Sequence, residues 1–226
     1  MLANLDSGVT ILGAGEAPST VVGEALTLAP ELVCADGGAH AALKHGFTPG
    51  WVIGDMDSVG ENMEASLPDT VFHQIEEQDS TDFDKCLSSL KAPFFIAVGV
   101  TGSRLDHGLA ALNVMTRRYR QKIILLSETD ICFICPPELR LQLEPGVRIS
   151  FFPMAEVSGW SEGLKWRIKG IPFRPDGIVG TSNETDSGTI RFGFERPLMA
   201  VIMPCGWLRQ VLPDFVQAPA WRTTRL

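Results

Sequence analysis

The order of hydrophobic and polar positions divides the chain into two parts with different periods. Up to about residue 127, short β-rich segments alternate with helical stretches. The segments lie at 9–13, 31–35, 51–54, 70–75, 93–100 and 122–126. Strands that alternate with helices are typical of a parallel sheet flanked by helices. We therefore predict an α/β domain with a parallel sheet over residues 1–130.

The clearest helix is expected directly after residue 103. Apolar residues recur there at the spacing of one helix face, and Arg117, Arg118 and Arg120 lie in its final turns. The apolar stripe consists of Leu105, Leu109, Leu112, Met115 and Tyr119. We expect this stripe to pack on the sheet.

After Pro136 and Pro137 the period of the pattern changes to two. Apolar and polar residues alternate over 139–144, 164–169 and 190–194, which is typical of half-buried strands. This part is predicted to be a smaller all-β sandwich domain over residues 137–213, with the domain boundary near 128–138. The tail from Pro213 is expected to be loosely held.

Composition narrows the possible partners. The 226 residues carry a formal net charge of -8, so we expect no nucleic-acid partner. The first ten residues lack the basic and apolar parts of a signal peptide, and no apolar run approaches the roughly 18 residues of a membrane span. We expect a cytoplasmic protein without membrane contact. The five cysteines suit a reducing compartment, and the C-x-x-C of Cys132 and Cys135 is interpreted as buried thiols.

Carboxylates and hydroxyls concentrate in three segments, each between the end of a predicted strand and the start of a helix. They are GDMDS at 54–58, QDSTDFDK at 78–85 and GSRLDH at 102–107. In a parallel sheet such loops converge on the carboxyl edge, where open α/β folds bind ligands. Asp36 and Gly37, which follow the second strand, are expected at the same edge.

Helix capping is the competing interpretation of these segments. The pairs with capping-box spacing are Ser58 with Glu61, Thr81 with Asp84, and Ser103 with Asp106. Four carboxylates are not required for capping, namely Asp55, Asp57, Asp79 and Asp82. Unpaired carboxylates at one edge repel each other unless a cation or protons neutralise them.

Mg²⁺ is the cation that the remaining carboxylates predict, because it binds one or two carboxylates and completes its coordination with water and phosphate oxygens. A nucleotide or polyphosphate ligand is therefore expected. Lys85 lies one turn after Asp82, and Arg104 opens the next helix. Both cations could face phosphate groups at this edge.

A dinucleotide-binding fold is the main alternative at this level. Gly13 and Gly15 follow the first strand, and Asp36 comes about twenty residues later, as a ribose-binding acid would. Pro18, however, stands where the third glycine belongs. Nicotinamide chemistry would also leave the acidic segments without a role, and the sequence contains no Walker-type phosphate loop.

Six short motifs, taken in order, resemble the motif series of thiamine pyrophosphokinases. They are ADGGAH at 35–40, GDMDS at 54–58, QDSTDFDK at 78–85, GSRLDH at 102–107, GLKW at 163–166 and TSNE at 181–184. The resemblance covers about residues 10–200. It implies transfer of a diphosphate group from ATP to thiamine, with AMP as the second product. It also implies a nucleotide-binding α/β domain, and a homodimer whose active sites lie between the α/β domain of one chain and the sandwich of the other.

The resemblance further implies roles for individual residues. The Mg²⁺ ligands would be Asp55, Asp57 and Asp82. The residues expected to contact ATP are Asp36, Gly37, Asp79, Thr81, Lys85, Arg104 and His107. The residues expected to act in catalysis are Asp57, Asp82, Lys85, Arg104 and Asp106. The thiamine pocket would be formed by Trp166, Ser182 and Asn183.

The chain departs from the family pattern at two places. His40 stands where family members often have asparagine, and Trp160 precedes the GLKW motif, so either Trp160 or Trp166 could stack on thiamine. The alternation around Trp166 describes a core residue equally well. Two other functions stay open, namely a transferase that uses another alcohol and a non-catalytic nucleotide or thiamine sensor.

Overall fold

The computed structural model describes residues 1–60, 62–102 and 104–222. The chain folds into two compact units. The first comprises Met1–Val114 and Ile123–Glu128, and the second comprises Met115–Lys122 and the chain from Thr129. Within the described residues, no helix has both the length and the apolar character that a membrane crossing requires.

Strands and helices alternate in the first part of the chain. In order they are β1 (Ala3–Asn4), β2 (Val9–Leu12), α1 (Ser19–Leu28), β3 (Glu31–Ala35), α2 (Gly38–His45), β4 (Trp51–Gly54), α3 (Met63–Ser66), β5 (Val71–Gln74), α4 (Asp82–Ser89), β6 (Leu90–Lys91), β7 (Phe95–Val98), α5 (Leu105–Arg117) and β8 (Ile123–Leu126). Each of the six predicted β segments contains one of these strands.

The sheet of the first unit has the strand order β8-β7-β2-β3-β4-β5, and every neighbouring pair in it is parallel. In the centre, Ile11 of β2 is paired with Val33 of β3 on one side and Ala97 of β7 on the other. All residues of β2, β7 and β8 are buried. Strands covered on both faces need continuous apolar sequences, which explains why these segments show no alternation. The predicted mixed α/β class is confirmed.

The apolar stripe predicted on α5 is wrong at its N-terminal end. Leu105 and Leu109 are 79% and 57% exposed, whereas Ala111, Val114 and Met115 are buried. These three buried residues share one helix face at the i, i+3 and i+4 positions. A stripe chosen by side-chain size misses Ala111 and Val114, because a helix can bury its small residues and leave leucines in solvent.

The second unit contains two antiparallel sheets. Its strands are β9 (Asp130–Ile134), β10 (Glu138–Gln142), β11 (Arg148–Pro153), β12 (Gly159–Glu162), β13 (Gly180–Glu184), β14 (Thr189–Phe194) and β15 (Met199–Pro204). One sheet has the order β13-β11-β15-β9 and the other β10-β14-β12. The Phe151 ring of β11 lies 5.3 Å from that of Phe192 and 5.6 Å from that of Phe194, both on β14. Aromatic side chains from both sheets therefore share one core.

The strand predicted from the alternation at 164–169 is wrong. Leu164 forms only an isolated bridge with Thr185, and Trp166 is 54% exposed, while Leu164 and Ile168 are buried. Gly163 turns the chain with a φ of 73°, and the Ile168 N–H donates to the Ser161 hydroxyl at 3.2 Å. Side-chain hydrogen bonds replace the backbone ladder of a strand here. The alternation of apolar and polar residues therefore does not by itself distinguish a strand from such an irregular segment.

The tail from Pro213 is not loosely held, contrary to expectation. Helix α6 (Leu208–Gln217) continues through Pro213, and it follows a short 3₁₀ turn at Cys205–Trp207. Its buried residues are Leu208, Val211, Leu212 and Phe215. A proline inside a helix costs about 3 kcal/mol, and this apolar face offsets the cost. The helix also shows that the second unit is not purely β.

Lys122 contacts the C-terminal segment that follows α6. Its Nζ donates to the Ala218 carbonyl oxygen at 2.9 Å and lies 5.1 Å from the centre of the Phe215 ring. Burial lowers the pKa of the Lys122 ammonium from 10.5 to about 8. The folded chain therefore releases this proton at a lower pH than the unfolded chain does.

We predict that the contribution of Lys122 to stability rises with pH between about 8 and 10.5. In that window the unfolded chain binds more protons at this position than the folded chain, so raising the pH favours the folded state. The free energy of unfolding of the wild-type chain should increase relative to Lys122→Met between pH 7 and 9.5. Lys44→Met, at an exposed position, serves as the control. Equal pH slopes for both variants would contradict the prediction.

Candidate active site

A cavity of about 450 Å³ opens in the first unit where its parallel strands end. Its lining comes from the loops after β2, β3, β4, β5 and β7 and from the N-terminal halves of α4 and α5. This is the carboxyl edge of the sheet, where α/β folds bind ligands. The three acidic segments of the sequence all contribute to the lining, as the topology predicts.

Three carboxylates lie close together here, and two of them, Asp36 and Asp55, line the cavity. One oxygen each of Asp36, Asp55 and Asp57 lies within 4.8 Å of the others. Asp36 and Met56 have φ angles of 41° and 68°, a left-handed conformation that is uncommon outside glycine and recurs at functional sites. The Ser58 N–H donates to Asp36 Oδ2 and the Asp57 N–H to Asp55 Oδ1, both at 3.3 Å. The loops after β3 and β4 are thereby held with their carboxylates together.

The carboxylate of Asp36 is the least satisfied group of this cluster. Its side chain is 3% exposed, and its Oδ1 atom has no hydrogen-bond partner among the described residues. Burial raises the pKa of Asp36, the Ser58 hydrogen bonds partly oppose this, and the Asp82 and Asp55 charges add to the increase. A buried oxygen of this kind requires a cation or a proton. The oxygen ligands therefore fit a hard divalent cation such as Mg²⁺.

Lys85 supplies the buried positive charge of the site. It is 2% exposed, and its Nζ lies 3.1 Å from Asp82 Oδ1 and 3.6 Å from Asp55 Oδ2. Burial by itself would lower the pKa of Lys85, but the Asp82 hydrogen bond and the surrounding carboxylates outweigh it and raise the pKa. The ammonium is therefore charged at neutral pH and faces the cavity.

The grouping of the carboxylates differs from the set inferred from the sequence in one respect. The structure places Asp36 beside Asp55 and Asp57, whereas Asp82 is paired with Lys85. Asp79 is exposed, and its backbone N–H donates to Glu77 Oε2 at 2.8 Å. Gly37, by contrast, lines the cavity. The role of Asp82 as a metal ligand and that of Asp79 in ATP binding stay predictions.

Capping and cavity lining coincide at Thr81. Its hydroxyl caps α4 by accepting a hydrogen bond from the Asp84 N–H at 3.3 Å, and Thr81 also lines the cavity. The other two predicted capping boxes include Glu61 and Ser103, which lie outside the described residues.

Arg104 and His107 reach the same cavity from the start of α5. Arg104 donates to Asp106 through Nε at 3.1 Å and Nη2 at 2.5 Å, and both side chains are exposed. The hydrogen bond from Arg104 holds the pKa of the Asp106 carboxyl below its usual range. Because an exposed ion pair contributes little stability, Arg104 can exchange Asp106 for an anionic ligand at low cost.

Two groups of positioning contacts were missed at the sequence level. Asp55 accepts from Gln78 Nε2 at 2.9 Å through Oδ2, and its carbonyl accepts from Gln74 Nε2 at 3.0 Å. His40 Nε2 lies 2.8 Å from the Ser58 carbonyl oxygen. Gln78 directly precedes Asp79 in the QDSTDFDK segment, which was the available signal. Nothing local marked Gln74, because its partner lies 19 residues away. His40 was noted only as a departure from the family motif, and its contact with Ser58, 18 residues away, was not foreseen.

Glycines let the loops of this edge approach each other closely. A Cβ atom on Gly15 would lie 2.6 Å from Gly102 Cα, and one on Gly54 would lie 2.6 Å from Asp36 Cβ. The G-x-G of the first loop is therefore explained by contact with the loop after β7. Gly54 has the corresponding role for the acidic cluster, since a larger residue would push Asp36 away.

A second cavity, of about 280 Å³, lies within the second unit. Its lining includes the three residues predicted for the thiamine pocket, Trp166, Ser182 and Asn183, together with Ile178. Ser182 has a φ of 59°, and its N–H donates to the Ser150 hydroxyl at 3.0 Å. All three non-glycine residues with positive φ in the described chain thus lie at or next to one of the two cavities.

Trp160 and Trp166 differ clearly in position. Trp166 is exposed at the second cavity, so it is not a core residue. Trp160 lies on β12, is half-buried, has the Arg191 guanidinium 5.5 Å from its ring centre, and is absent from the lining of that cavity.

The fold and the two cavities define a class of protein with two units. The α/β unit carries a cavity lined by acidic and basic side chains, and the β-rich unit carries a cavity lined by an exposed indole. Family models agree with this division. The thiamin pyrophosphokinase catalytic domain matches residues 22–126, and the thiamin pyrophosphokinase vitamin B1 binding domain matches residues 138–199. The chain belongs to the thiamine pyrophosphokinase family.

Individual relatives share this assignment. The chain is 26% identical over 204 residues to thiamine pyrophosphokinase 1 of Oryza sativa subsp. japonica, covering 75% of this chain and 77% of the relative. It is 26% identical over 185 residues to thiamine pyrophosphokinase 1 of Arabidopsis thaliana, covering 67% and 69%. The crystal structure of thiamin pyrophosphokinase from Geobacillus thermodenitrificans matches with a TM-score of 0.72 at 21% identity, covering 87% of this chain and 97% of that one. The yeast enzyme matches with a TM-score of 0.74 at 17% identity, covering 93% and 92%.

We predict that Gly54→Ala lowers the free energy of unfolding by about 1–3 kcal/mol, because the new methyl group overlaps Asp36. Chemical denaturation measures this change. Gly60→Ala is the matched control, since a Cβ atom at Gly60 has nothing within 4 Å, and we expect it to change stability by at most about 0.5 kcal/mol. The close-approach argument fails if the two variants are equally stable.

Proposed function

We propose that this chain is a thiamine diphosphokinase, which transfers a diphosphate group from ATP to the hydroxyl group of thiamine and releases AMP. The observation that carries the proposal is the acidic cluster with an unsatisfied buried Asp36 oxygen, next to the buried Lys85 ammonium, in one cavity. In a polyphosphate bound with a divalent cation, the cation would balance the carboxylates and the phosphates would balance the Lys85 ammonium. Family membership supplies the reaction and the second substrate.

ATP is assigned to the cavity of the first unit. Its phosphates would face Thr81 at the N-terminus of α4, Lys85 within α4 and Arg104 at the start of α5. Helix N-termini present free amide groups and a partial positive charge to such anions. The other residues that we assign to ATP are Asp36, Gly37, Asp79 and His107. In this proposal the α/β unit is the nucleotide-binding unit.

A divalent cation, for which we propose Mg²⁺, would be held by the acidic cluster. Asp36, Asp55 and Asp57 are the carboxylates that the fold brings together, and Asp82 is a further ligand inferred from the family motif. When bound, the ion would neutralise phosphate oxygens. Without a cation the carboxylates would repel the phosphate chain, so their role in this proposal is to hold the ion.

The chemical step needs little covalent participation by the protein. The hydroxyl oxygen of thiamine forms a bond to the β-phosphorus of ATP, the bond from that phosphorus to the oxygen of the α-phosphate breaks, and AMP leaves. Lys85 and Arg104 stabilise the charge that moves onto the phosphate oxygens. We assign the proton of the hydroxyl group to an aspartate at this edge of the sheet rather than to His107. The candidates are Asp57 of the acidic cluster, Asp82 beside Lys85 and Asp106 beside Arg104.

Thiamine is assigned to the cavity of the second unit, a β-sandwich unit in this proposal. Thiamine carries a positive charge and flat rings, so an exposed indole can attract it by stacking and by a cation–π interaction of about 0.5–2 kcal/mol. Trp166 presents its ring there, next to the Ser182 and Asn183 positions.

We also propose a homodimer in which two chains share their active sites, as the family resemblance implies. The exposed Leu105 and Leu109 of α5 support this proposal, because they form an apolar face beside the residues that line the ATP cavity. A second chain could cover that face. Sedimentation of the purified chain would measure its state.

The reaction is tested by incubating the purified chain with ATP, Mg²⁺ and thiamine while AMP is quantified. AMP that forms only when thiamine is present supports the proposal. AMP that forms with another alcohol but not with thiamine identifies a related transferase. Binding of both ligands without AMP release identifies a non-catalytic sensor.

We predict that Asp36→Asn and Asp57→Asn each lower kcat at least about 100-fold at saturating Mg²⁺ while the fold is retained. Each change removes a negative ligand oxygen from the cluster, and preorganised charge supplies a large share of such rate enhancements. Steady-state kinetics and thermal unfolding measure the two properties. Asp69→Asn, at an exposed position, is the control. The assignment of these carboxylates is wrong if both variants keep wild-type turnover.

Asp82→Asn is compared in the same assay, because Asp82 is both a proposed metal ligand and the partner of Lys85. We expect a similar loss of turnover. An unchanged dependence on Mg²⁺ with a raised KM for ATP would assign Asp82 to Lys85 alone.

We predict that Trp166→Ala raises the KM for thiamine about tenfold and changes the KM for ATP much less. The reason is the loss of the stacking surface, worth roughly 1–2 kcal/mol. Trp160→Phe, which alters an indole outside the second cavity, should leave the thiamine KM within about twofold. The reverse pattern would assign stacking to Trp160.

A further inference from the structure

We propose that Asn183 is a positioning residue, which acts on the substrate through Trp166 and does not contact the substrate itself. This inference rests on the proposed function, since it concerns the thiamine cavity of the second unit. It gives Asn183 a role other than direct contact with thiamine. It also explains how a tryptophan outside any strand can present a fixed binding surface.

The hydrogen bonds of the Asn183 side chain are directed at the backbone of Trp166. Asn183 Oδ1 accepts from the Trp166 N–H at 3.2 Å, and Asn183 Nδ2 donates to the Trp166 carbonyl oxygen at 2.7 Å. Oδ1 also accepts from the Glu184 N–H at 2.8 Å. An amide oxygen has two acceptor positions, so both are in use. Asn183 is 6% exposed, and its amide oxygen has no free acceptor position for a ligand.

Trp166 needs this support because no strand holds its backbone. The segment after β12 turns at Gly163 and contains only the isolated bridge at Leu164, while the Trp166 side chain is 54% exposed. A loop that must be ordered when a ligand binds loses affinity through the entropy of ordering. The two hydrogen bonds from Asn183 fix the Trp166 peptide groups in advance.

Glu184 of strand β13 also acts on the indole ring of Trp166, through Lys165. Lys165 Nζ lies 4.9 Å from the centre of the Trp166 ring, and Glu184 Oε1 holds the same ammonium at 3.3 Å. One face of the indole is thus covered by Lys165, so a stacking ligand has to use the opposite face. Asn183 and Glu184, adjacent on β13, together determine the position and the available face of Trp166.

The test is a double-mutant cycle between Asn183→Asp and Trp166→Ala, measured as the KM for thiamine. Asn183→Asp keeps the Oδ1 acceptor but replaces the amide nitrogen, which donates to the Trp166 carbonyl, with a second carboxylate oxygen. We expect the thiamine KM to rise about tenfold, the usual cost of one such bond, with the ATP KM unchanged. In the Trp166→Ala background, the same substitution should change the thiamine KM less than twofold, because the effect passes through the indole.

Two further variants serve as a charge control and as an alternative substitution. Asn4→Asp adds the same charge at an exposed position on β1 and should leave the thiamine KM unchanged. Asn183→Ser, which replaces the amide with a shorter, uncharged hydroxyl side chain, is measured in parallel in case Asn183→Asp does not fold. We expect Asn183→Ser to show the same dependence on Trp166.

A second readout does not require activity. In ligand-free protein labelled with 5-fluorotryptophan, the ¹⁹F resonance absent from Trp166→Ala identifies Trp166, and Asn183→Asp should shift that resonance. Equal increases of the thiamine KM in both backgrounds would overturn the inference, since Asn183 would then contact the ligand itself. An unshifted resonance together with an unchanged KM would also overturn it. If the wild-type chain forms no AMP with thiamine while the resonance does shift, the proposed function fails and the positioning role stands.

Discussion

The accumulation of negative charge at the carboxyl edge of the parallel sheet is the constraint on which the candidate site depends. Three carboxylates share a small volume, and Asp36 Oδ1 is buried among them without a partner in the described chain. The Lys85 ammonium compensates part of this charge through Asp55 and Asp82. Burial of uncompensated charge is costly, so the site is balanced only when further positive charge binds. The divalent cation of a metal-bound polyphosphate would supply that positive charge, which is why the geometry favours nucleotide chemistry over a purely structural role.

The backbone accepts strain and close contact to maintain that arrangement. Asp36 and Met56 adopt left-handed conformations, and Gly54 leaves room for Asp36. Such positions cost stability individually, and the buried strands around them supply it. The second unit follows the same principle at its own cavity, where Ser182 is left-handed and Asn183 binds the Trp166 backbone. In each unit, strands hold a few irregular residues in a fixed conformation at or next to the cavity.

Much of the fold and part of the site could be predicted because the determining interactions are local. Each of the six β segments of the first part contains a strand. In β2, β7 and β8 the segment is a nearly continuous apolar run, because strands buried on both faces need one. The acidic segments meet because loops after parallel strands share one edge. The predictions that were wrong also have physical reasons. On α5 the buried face is set by small residues, around Trp166 side-chain hydrogen bonds replace a ladder, and on α6 apolar burial outweighs a proline.

The sequence by itself determined the α/β and β classes of the two parts, the elements that carry the acidic segments, and the family motifs, because periodicity and spacing are properties of neighbouring residues. Only the tertiary structure decided which carboxylates group together, with Asp36 beside Asp55 and Asp57, and Asp82 on Lys85. It alone placed Gln78 on Asp55 and Asn183 on Trp166. These contacts join residues 17 to 23 positions apart or come from separate loops, and their distances depend on the register and packing of strands, which no local pattern encodes.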